Sequence, residues 1–79
     1  MLVATLAATA QDTPFDKNYF SNQKDEFKQA YSDLKNGENY YTKGYYNEAL
    51  EYYNEAYKFN PNYSTLNYRI GVCYINLPM

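Results

Sequence analysis

Several residue types are missing or scarce in this chain of 79 residues. It contains no histidine and no tryptophan, one cysteine, three glycines and three prolines. Because there is no histidine, and Cys73 has no second cysteine to pair with, the chain has no internal disulfide and no zinc-like ligand cluster. It also has no glycine-rich phosphate loop and no serine in an elbow motif. These absences argue against an enzyme.

A strong excess of one charge is lacking as well. The formal net charge is -2, and acids and bases are interspersed without a basic stripe, which argues against nucleic acid as a partner. The one apolar run, Met1 to Ala10, is too short to cross a bilayer. We therefore expect no transmembrane segment in this chain.

Two groups of residues are candidate chemical sites. Cys73 is a conceivable nucleophile, but it occupies a small-residue packing position and nothing near it in the sequence would lower its pKa, so a buried, inert thiol is the better interpretation. Glu48, Glu51 and Glu55 share one helical face, which suggests either a metal site or a solvated face; the solvated face is favoured. We expect no catalytic residue, no cofactor and no metal.

Aromatic residues are abundant: twelve tyrosines and four phenylalanines, which suit half-buried interfaces because tyrosine packs its ring and keeps its hydroxyl wet. In the central stretch, Tyr40 to Pro61, apolar residues recur at spacings of three and four and predict one helical packing stripe. The stripe consists of Tyr46, Ala49, Leu50, Tyr53, Ala56 and Tyr57. Its alanines mark places where two helices approach closely.

The flanking residues set the expected helix ends. A first helix should begin after a cap at Ser21 or Asn22 and end at Lys43-Gly44, since glycine tolerates the left-handed backbone found just past a helix. Gly37 lies inside it and costs about 1 kcal/mol relative to alanine, which close approach of a second helix would offset. That second helix is predicted at 47–59, because the proline at 61 forces the residue before it out of helical geometry.

This pattern resembles the tetratricopeptide repeat, a helix-turn-helix unit of about 34 residues. The matching positions are Gly37, Tyr40, Gly44, Tyr46, Ala49, Tyr53, Ala56 and Pro61. The period recurs within the chain, since Gly71 follows Gly37, and Tyr74 follows Tyr40, by one such repeat length. The resemblance covers roughly residues 30–77 and implies an all-α fold, an α-solenoid fragment of about one and a half helical hairpin repeats. Because about three repeats are normally needed for stability, we expect weakly cooperative melting of residues 11–79.

The domain organisation follows from these elements. Residues 1–10 resemble a truncated signal peptide, since an uncharged apolar run ends in Ala8-Thr9-Ala10 before a polar junction. Residues 11–21 are expected to form an irregular connector. Residues 22–63 would form an extended first helix plus the first repeat, and residues 64–79 the first helix of an incomplete second repeat. The partner helix of that second repeat would lie beyond Met79.

In tetratricopeptide repeats the first helix of each pair lines a groove that holds peptide segments. The resemblance therefore points to Tyr31, Leu34, Lys35, Glu38, Tyr41, Tyr68, Arg69, Val72 and Ile75 as protein-binding groove candidates. Family members that grip a C-terminal carboxylate carry lysine and asparagine at the places of Leu34 and Glu38, so that mode is not expected here. An alternative stays open for Tyr68, Val72 and Ile75, which would then cover neighbouring repeats.

A narrower resemblance is carried by LNYRIGVCYINLP, by KFNPNY and by the leader ending in ATAQD. These runs are similar to the N-terminal end of bacterial OmpA-family envelope proteins, which carry tetratricopeptide repeats, β-propeller-like repeats and a peptidoglycan-binding domain. The resemblance implies an exported segment that docks proteins in the periplasm or at the outer membrane. Peptidoglycan binding is assigned to no residue of this chain.

The sequence as a whole predicts a non-catalytic protein-protein interaction segment. Two other interpretations are kept. One is a purely structural spacer or self-association module, and the other is an enzyme whose catalytic domain follows this segment.

Overall fold

Three α-helices make up most of the regular structure of residues 12–78. The computed structural model describes residues 12–78, and within them α1 spans Lys24–Thr42, α2 spans Tyr46–Phe59 and α3 spans Ser64–Ile75. A one-turn 3-10 helix, Lys17–Tyr19, precedes α1. No strand occurs in this part of the chain. The predicted all-α helical hairpin is confirmed.

The turn between α1 and α2 depends on one glycine. Gly44 has φ +81°, a left-handed value that side chains with a Cβ rarely adopt. Its N–H donates to the carbonyl of Tyr41 at 3.0 Å, and the N–H of Tyr45 donates to the carbonyl of Tyr40 at 2.9 Å. These bonds satisfy carbonyls at the end of α1, so the chain reverses within three residues. The predicted stop at Lys43-Gly44 is confirmed.

The packing of α1 on α2 centres on a second glycine. A Cβ added to Gly37 would lie 2.5 Å from Cδ1 and 2.7 Å from Cε1 of Tyr53, so the tyrosine ring fills the space that a side chain would need. Tyr53 is fully buried, and so are Ala49 and Ala56 on the same stripe of α2. The predicted close approach at Gly37 is therefore confirmed, and the Tyr53 ring makes it.

The third helix also packs on α2. Its buried residues are Leu66 and Cys73, both with no exposed surface. They join the core of the hairpin, which consists of Phe15, Ala30, Leu34, Ala49, Leu50, Tyr53, Ala56, Leu66 and Cys73. Helix α2 thus contacts both α1 and α3.

The helix starts differ from the prediction by a few residues. Helix α1 begins at Lys24 with Gln23 in the cap position, and neither Ser21 nor Asn22 caps it, so that prediction is wrong. Both lie in a turn that the N–H of Gln23 closes by donating to the carbonyl of Phe20 at 2.9 Å. Because the Phe20 ring packs against Phe59 with centroids 4.7 Å apart, core packing sets the start of the helix. Helix α2 begins at residue 46, one residue earlier than predicted.

The segment predicted as an irregular connector belongs to the core. Phe15 is 9% exposed, and its ring lies 5.8 Å from Phe27, 6.1 Å from Phe59 and 5.7 Å from Tyr63, measured between centroids. The buried Phe15 side chain thus holds this mostly polar segment against the helices.

Backbone bonds hold the same segment to the turn between α2 and α3. The N–H of Thr13 donates to the carbonyl of Asn62 at 2.8 Å, and the buried Asn60 amide returns a bond to the carbonyl of Thr13 at 3.0 Å. The Asp12 carboxylate accepts from the N–H of Ser64 at 2.8 Å, which caps α3. The predicted signal peptide, residues 1–10, lies outside the described residues, as does Met79.

Candidate protein-binding surface

Five of the predicted groove residues form one continuous line of side chains. Tyr31, Lys35, Glu38 and Tyr41 recur at spacings of three and four along α1, which places them on one helical face. Arg69 joins them from α3. We call this set the charged line.

Glu38 is the centre of the charged line. Its Oε2 accepts a hydrogen bond from Nη1 of Arg69 at 3.2 Å, and its Oε1 lies 3.6 Å from Nζ of Lys35. The Glu38 charge raises the pKa of Lys35. One carboxylate therefore meets two cations, and it links α1 to α3 across the surface of the hairpin.

Each cation also lies over an aromatic ring. Nζ of Lys35 is 5.4 Å from the ring centroid of Tyr31, and Cζ of Arg69 is 5.3 Å from that of Tyr41. Both distances lie within the range of cation–π attraction. The line carries two positive groups and one negative group, so it keeps a surplus positive charge on a surface of half-exposed tyrosine rings.

The other four predicted groove residues lie elsewhere. Leu34 is 4% exposed and belongs to the core, so its side chain is not offered to a partner. Val72 is half-buried. Tyr68 and Ile75 are 71% and 82% exposed, and they lie on the side of α3 that faces away from α2. The nine predicted residues are therefore spread over two surfaces and the core.

The second surface is the outer face of α3. Its apolar residues are Tyr68, Gly71 and Ile75, at i, i+3 and i+7, with Tyr74 at its edge, 56% exposed. The exposed polar residues Ser64 and Asn67 lie on the same side. The buried residues of α3, Leu66 and Cys73, lie on the opposite side. Helix α3 thus carries large apolar side chains on both faces, a composition that is typical of helices with neighbours on two sides.

Helix α1 has only one apolar face. Its buried residues are Ala30, Leu34 and Gly37, and the opposite side is polar. That polar side consists of Ser32, Asn36, Asn39 and Lys43, all exposed or half-exposed. The outer face of α1 is therefore polar, whereas the outer face of α3 exposes large apolar side chains.

Gly37 and Gly71 show the same difference between α1 and α3. A Cβ added to Gly37 would meet Tyr53, whereas a Cβ added to Gly71 would have no atom within 4 Å. The space beside the glycine is therefore occupied on α1 and empty on α3.

Two buried side chains, Cys73 and Tyr53, have titratable groups with raised pKa values. Burial raises the pKa of the Cys73 thiol, which disfavours the reactive thiolate. Burial also raises the pKa of Tyr53 to about 12, and the nearby Arg69 opposes this shift. The Tyr53 hydroxyl has no hydrogen bond of acceptable geometry with any described residue, although Arg69 is close. Neither group is poised for acid–base or nucleophilic work.

The remaining candidates are exposed. Glu48, Glu51 and Glu55 lie in solvent, and Glu55 pairs with Lys58 at 2.9 Å. Across residues 12–78 no group of three or more acidic or cysteine side chains is arranged to hold a metal ion. None of the three helices is long and apolar enough to cross a membrane.

Sequence reasoning missed one feature of the surface. Lys17, Lys24 and Lys28 converge on a cleft with aromatic walls, next to Tyr31. Polar, aromatic and acidic residues separate the three lysines along the chain, so the sequence shows no basic stripe there. The only sequence signal was the four-residue spacing of Lys24 and Lys28.

Comparison with protein-family models, with curated proteins and with solved structures finds no match. The class that the chain itself defines is therefore an all-α helical hairpin with a third helix packed against it.

Proposed function

We propose that this chain is a non-catalytic protein-binding segment of the tetratricopeptide type, and that the outer face of α3 docks a further helix. The observation that carries the proposal is that α3 exposes the large apolar side chains of Tyr68 and Ile75 opposite its buried face, whereas the side of α1 opposite its buried face is polar. Isolated exposed apolar residues are ordinary, but Tyr68, Gly71 and Ile75 are neighbours on one helical face.

The repeat spacing within the chain describes the helix that would dock there. Gly37 is covered by Tyr53, which is flanked on α2 by the buried Ala49 and Ala56. A helix that covers Gly71 in the same manner carries a large aromatic residue between two small ones. Further repeats of the same chain, or another protein with such a helix, fit this description.

The charged line would serve a second contact. It has two cations, and its one carboxylate is shared between them, so it favours a partner segment with acceptors or acidic groups. The tyrosine rings beneath the cations supply apolar area at low conformational cost. Peptide binding in the groove would therefore depend on Lys35 and Arg69, as the sequence suggests.

The cellular setting is proposed from resemblance alone. The runs that resemble OmpA-family envelope proteins, together with the apolar leader, favour an exported segment that works in the periplasm or at the outer membrane. A docking role there requires no chemistry from the described residues.

The experiment uses the α2 helix itself as the probe. A dye-labelled peptide of residues 45–61 carries the required small–aromatic–small pattern, and its binding to the 79-residue chain is measured by fluorescence anisotropy. Removing Tyr68 and Ile75 together by serine substitution should weaken binding about tenfold, because both side chains lose their apolar contact area.

A matched variant controls for loss of surface aromatics in general. Tyr45 and Tyr57 are 55% and 43% exposed and lie away from α3's outer face, so their double serine variant should bind the probe as the parent does. Equal affinity for parent, outer-face variant and control variant would favour the spacer interpretation and remove the docking proposal. A dimer of the parent that the outer-face variant abolishes, seen by sedimentation, would identify self-association instead.

A further inference from the structure

A cleft opens between the 3-10 turn and the first half of α1, on a surface distinct from the outer face of α3. Its volume is about 520 Å³, within the range of small-ligand sites. It is lined by Lys17, Asn18, Phe20, Ser21, Lys24, Phe27, Lys28 and Tyr31. We call it the basic-aromatic cleft.

The walls of the basic-aromatic cleft are three aromatic rings in series. Phe20 and Phe27 are stacked with centroids 5.8 Å apart, and Phe27 and Tyr31 are stacked at 5.6 Å. Phe20 also packs on the half-buried Phe59, which anchors the wall to α2. Tyr31 remains 39% exposed. The wall is thus a fixed apolar surface with an exposed edge, suited to one large apolar side chain.

The rim is positive. Lys17, Lys24 and Lys28 are three of the seven lysines and arginines in a chain of net charge -2, and no acidic residue lines the cleft. None of the three forms a salt bridge with another residue between 12 and 78. Glu26 lies on another side of α1 by helical periodicity, whereas Asp25 is three residues before Lys28 and neighbours it on the helix surface. One acid beside three lysines leaves the rim with a surplus positive charge.

We propose that the basic-aromatic cleft binds an acidic protein segment in which a large apolar side chain follows two carboxylates at alternate positions. Lys24 and Lys28 are one helical turn apart, about 6 Å along the axis. In an extended segment, carboxylates two residues apart project to the same side about 7 Å apart, which matches this spacing. A third same-side residue, two positions further on, reaches the aromatic wall.

Charge complementarity separates this occupant from the others. The leader, residues 1–10, contains no carboxylate side chain and cannot meet the three ammonium groups. A nucleic acid strand would extend beyond the cleft over a protein whose net charge is negative, whereas a short acidic segment responds to the charges within about a Debye length, roughly 10 Å. The observations therefore favour a protein segment.

The absence of tryptophan from the chain makes the test direct. The probe is the peptide acetyl-Glu-Ser-Glu-Ser-Trp-amide, whose tryptophan emission is followed as the 79-residue chain is added. We expect saturable binding with a blue shift as the indole enters the cleft. Because exposed ion pairs each change affinity by up to about fivefold, reversing Lys24 and Lys28 to glutamate should weaken binding about tenfold or more.

The control variant has the same total charge. Lys43 and Lys58 are exposed and outside the cleft, so their double glutamate variant should keep the probe affinity within about threefold. Circular dichroism confirms that both variants are folded. Equal loss in the two variants would show general repulsion and overturn the proposal.

Two further probes and one variant complete the test. A peptide with glutamine for both glutamates, or one with alanine for tryptophan carrying an external dye, should bind at least about tenfold more weakly; undiminished binding of either overturns the proposal. The proposal is also overturned if a short oligouridylate binds the cleft more tightly than the probe peptide does and loses that affinity when Lys24 and Lys28 are replaced. The double serine variant of Tyr68 and Ile75 should bind the probe normally, so this proposal and helix docking on α3 succeed or fail separately.

Discussion

Replacing each of two glycines by alanine tests the packing of the three helices directly. Gly37 and Gly71 both lie inside helices, so alanine gains about 0.8–1.0 kcal/mol of helix propensity at each. They differ in their surroundings. At Gly37 the new methyl group would lie 2.5 Å from Tyr53 Cδ1, and at Gly71 it would meet nothing within 4 Å.

The magnitudes follow from that difference. The Tyr53 ring is fully buried and cannot swing into solvent, so α1 and α2 must separate; overpacking of this kind costs about 1–3 kcal/mol. After the propensity gain, Gly37→Ala should lower the free energy of unfolding by about 1 kcal/mol. Gly71→Ala should raise it by about 0.5–1 kcal/mol, somewhat less than full propensity because the end of α3 is only four residues away.

Thermal unfolding followed by circular dichroism measures both effects. A domain of this size shifts its Tm by about 4–8 °C per kcal/mol, so the two variants should differ by roughly 10 °C with the parent between them. If Gly37→Ala stabilised the chain, or if both variants moved in the same direction by the same amount, the close contact between Gly37 and Tyr53 would be refuted.

Three other experiments test the core and the charged line. Tyr53→Phe removes an unpaired buried hydroxyl and should stabilise the chain by about 1 kcal/mol at pH 7 in urea titrations. Because burial raises the pKa of Tyr53 to about 12, the free energy of unfolding of the parent should be constant below about pH 10 and fall as the pH rises towards 12. Tyr53→Phe should lack this contribution to the fall. Equal alkaline profiles of parent and variant would contradict the burial of the hydroxyl. Phe15→Ala should cost about 3 kcal/mol, and a loss under about 1 kcal/mol would show that residues 12–20 are not part of the core. A double-mutant cycle of Glu38→Gln and Arg69→Gln should give about 0.5–1 kcal/mol of coupling that shrinks in salt, whereas zero coupling at low salt would contradict a link between α1 and α3.

Much of the fold could be predicted because its determinants are local in sequence. The three-and-four spacing of Ala49, Tyr53 and Ala56 predicts the buried stripe of α2, and the structure buries all three completely. Tyr57, predicted in the same stripe, lies at its edge and stays 43% exposed. Gly44 predicts the turn because only glycine takes φ +81° without strain. Gly37 predicts close packing because nothing else offsets its cost inside a helix.

The features that were not predicted depend on contacts between distant residues. Phe15 lies in a polar stretch without periodicity, and its burial is decided by Phe59 and Tyr63, which lie far along the chain. The true start of α1 depends on the same cluster through Phe20. The capping preference of Ser21 does not decide the start of α1, because the aromatic contact of Phe20 outweighs it and forms only after the hairpin closes.

Part of the candidate surface followed the same rule. The resemblance named Tyr31, Lys35 and Glu38 as groove candidates, and the structure places them on one face of α1. It also named Leu34, whose side chain is buried in the core. Lys17 joins the basic-aromatic cleft from a separate 3-10 turn, which no pattern within α1 could reveal.

The two proposed binding surfaces differ in whether they can recur along a longer helical array. Gly71 and Tyr68 follow Gly37 and Leu34 by one repeat length, so the outer face of α3 repeats a position that α1 already uses for packing. The residues one repeat length after Lys24 and Lys28 are Lys58, exposed on α2, and Asn62, in the following turn. The 3-10 turn has no counterpart one repeat length later. Docking at α3 therefore extends the array, whereas the basic-aromatic cleft occurs once, at its polar-faced end. We expect one acidic segment bound per chain in a longer protein, and titration calorimetry giving a stoichiometry that grows with repeat number would contradict this.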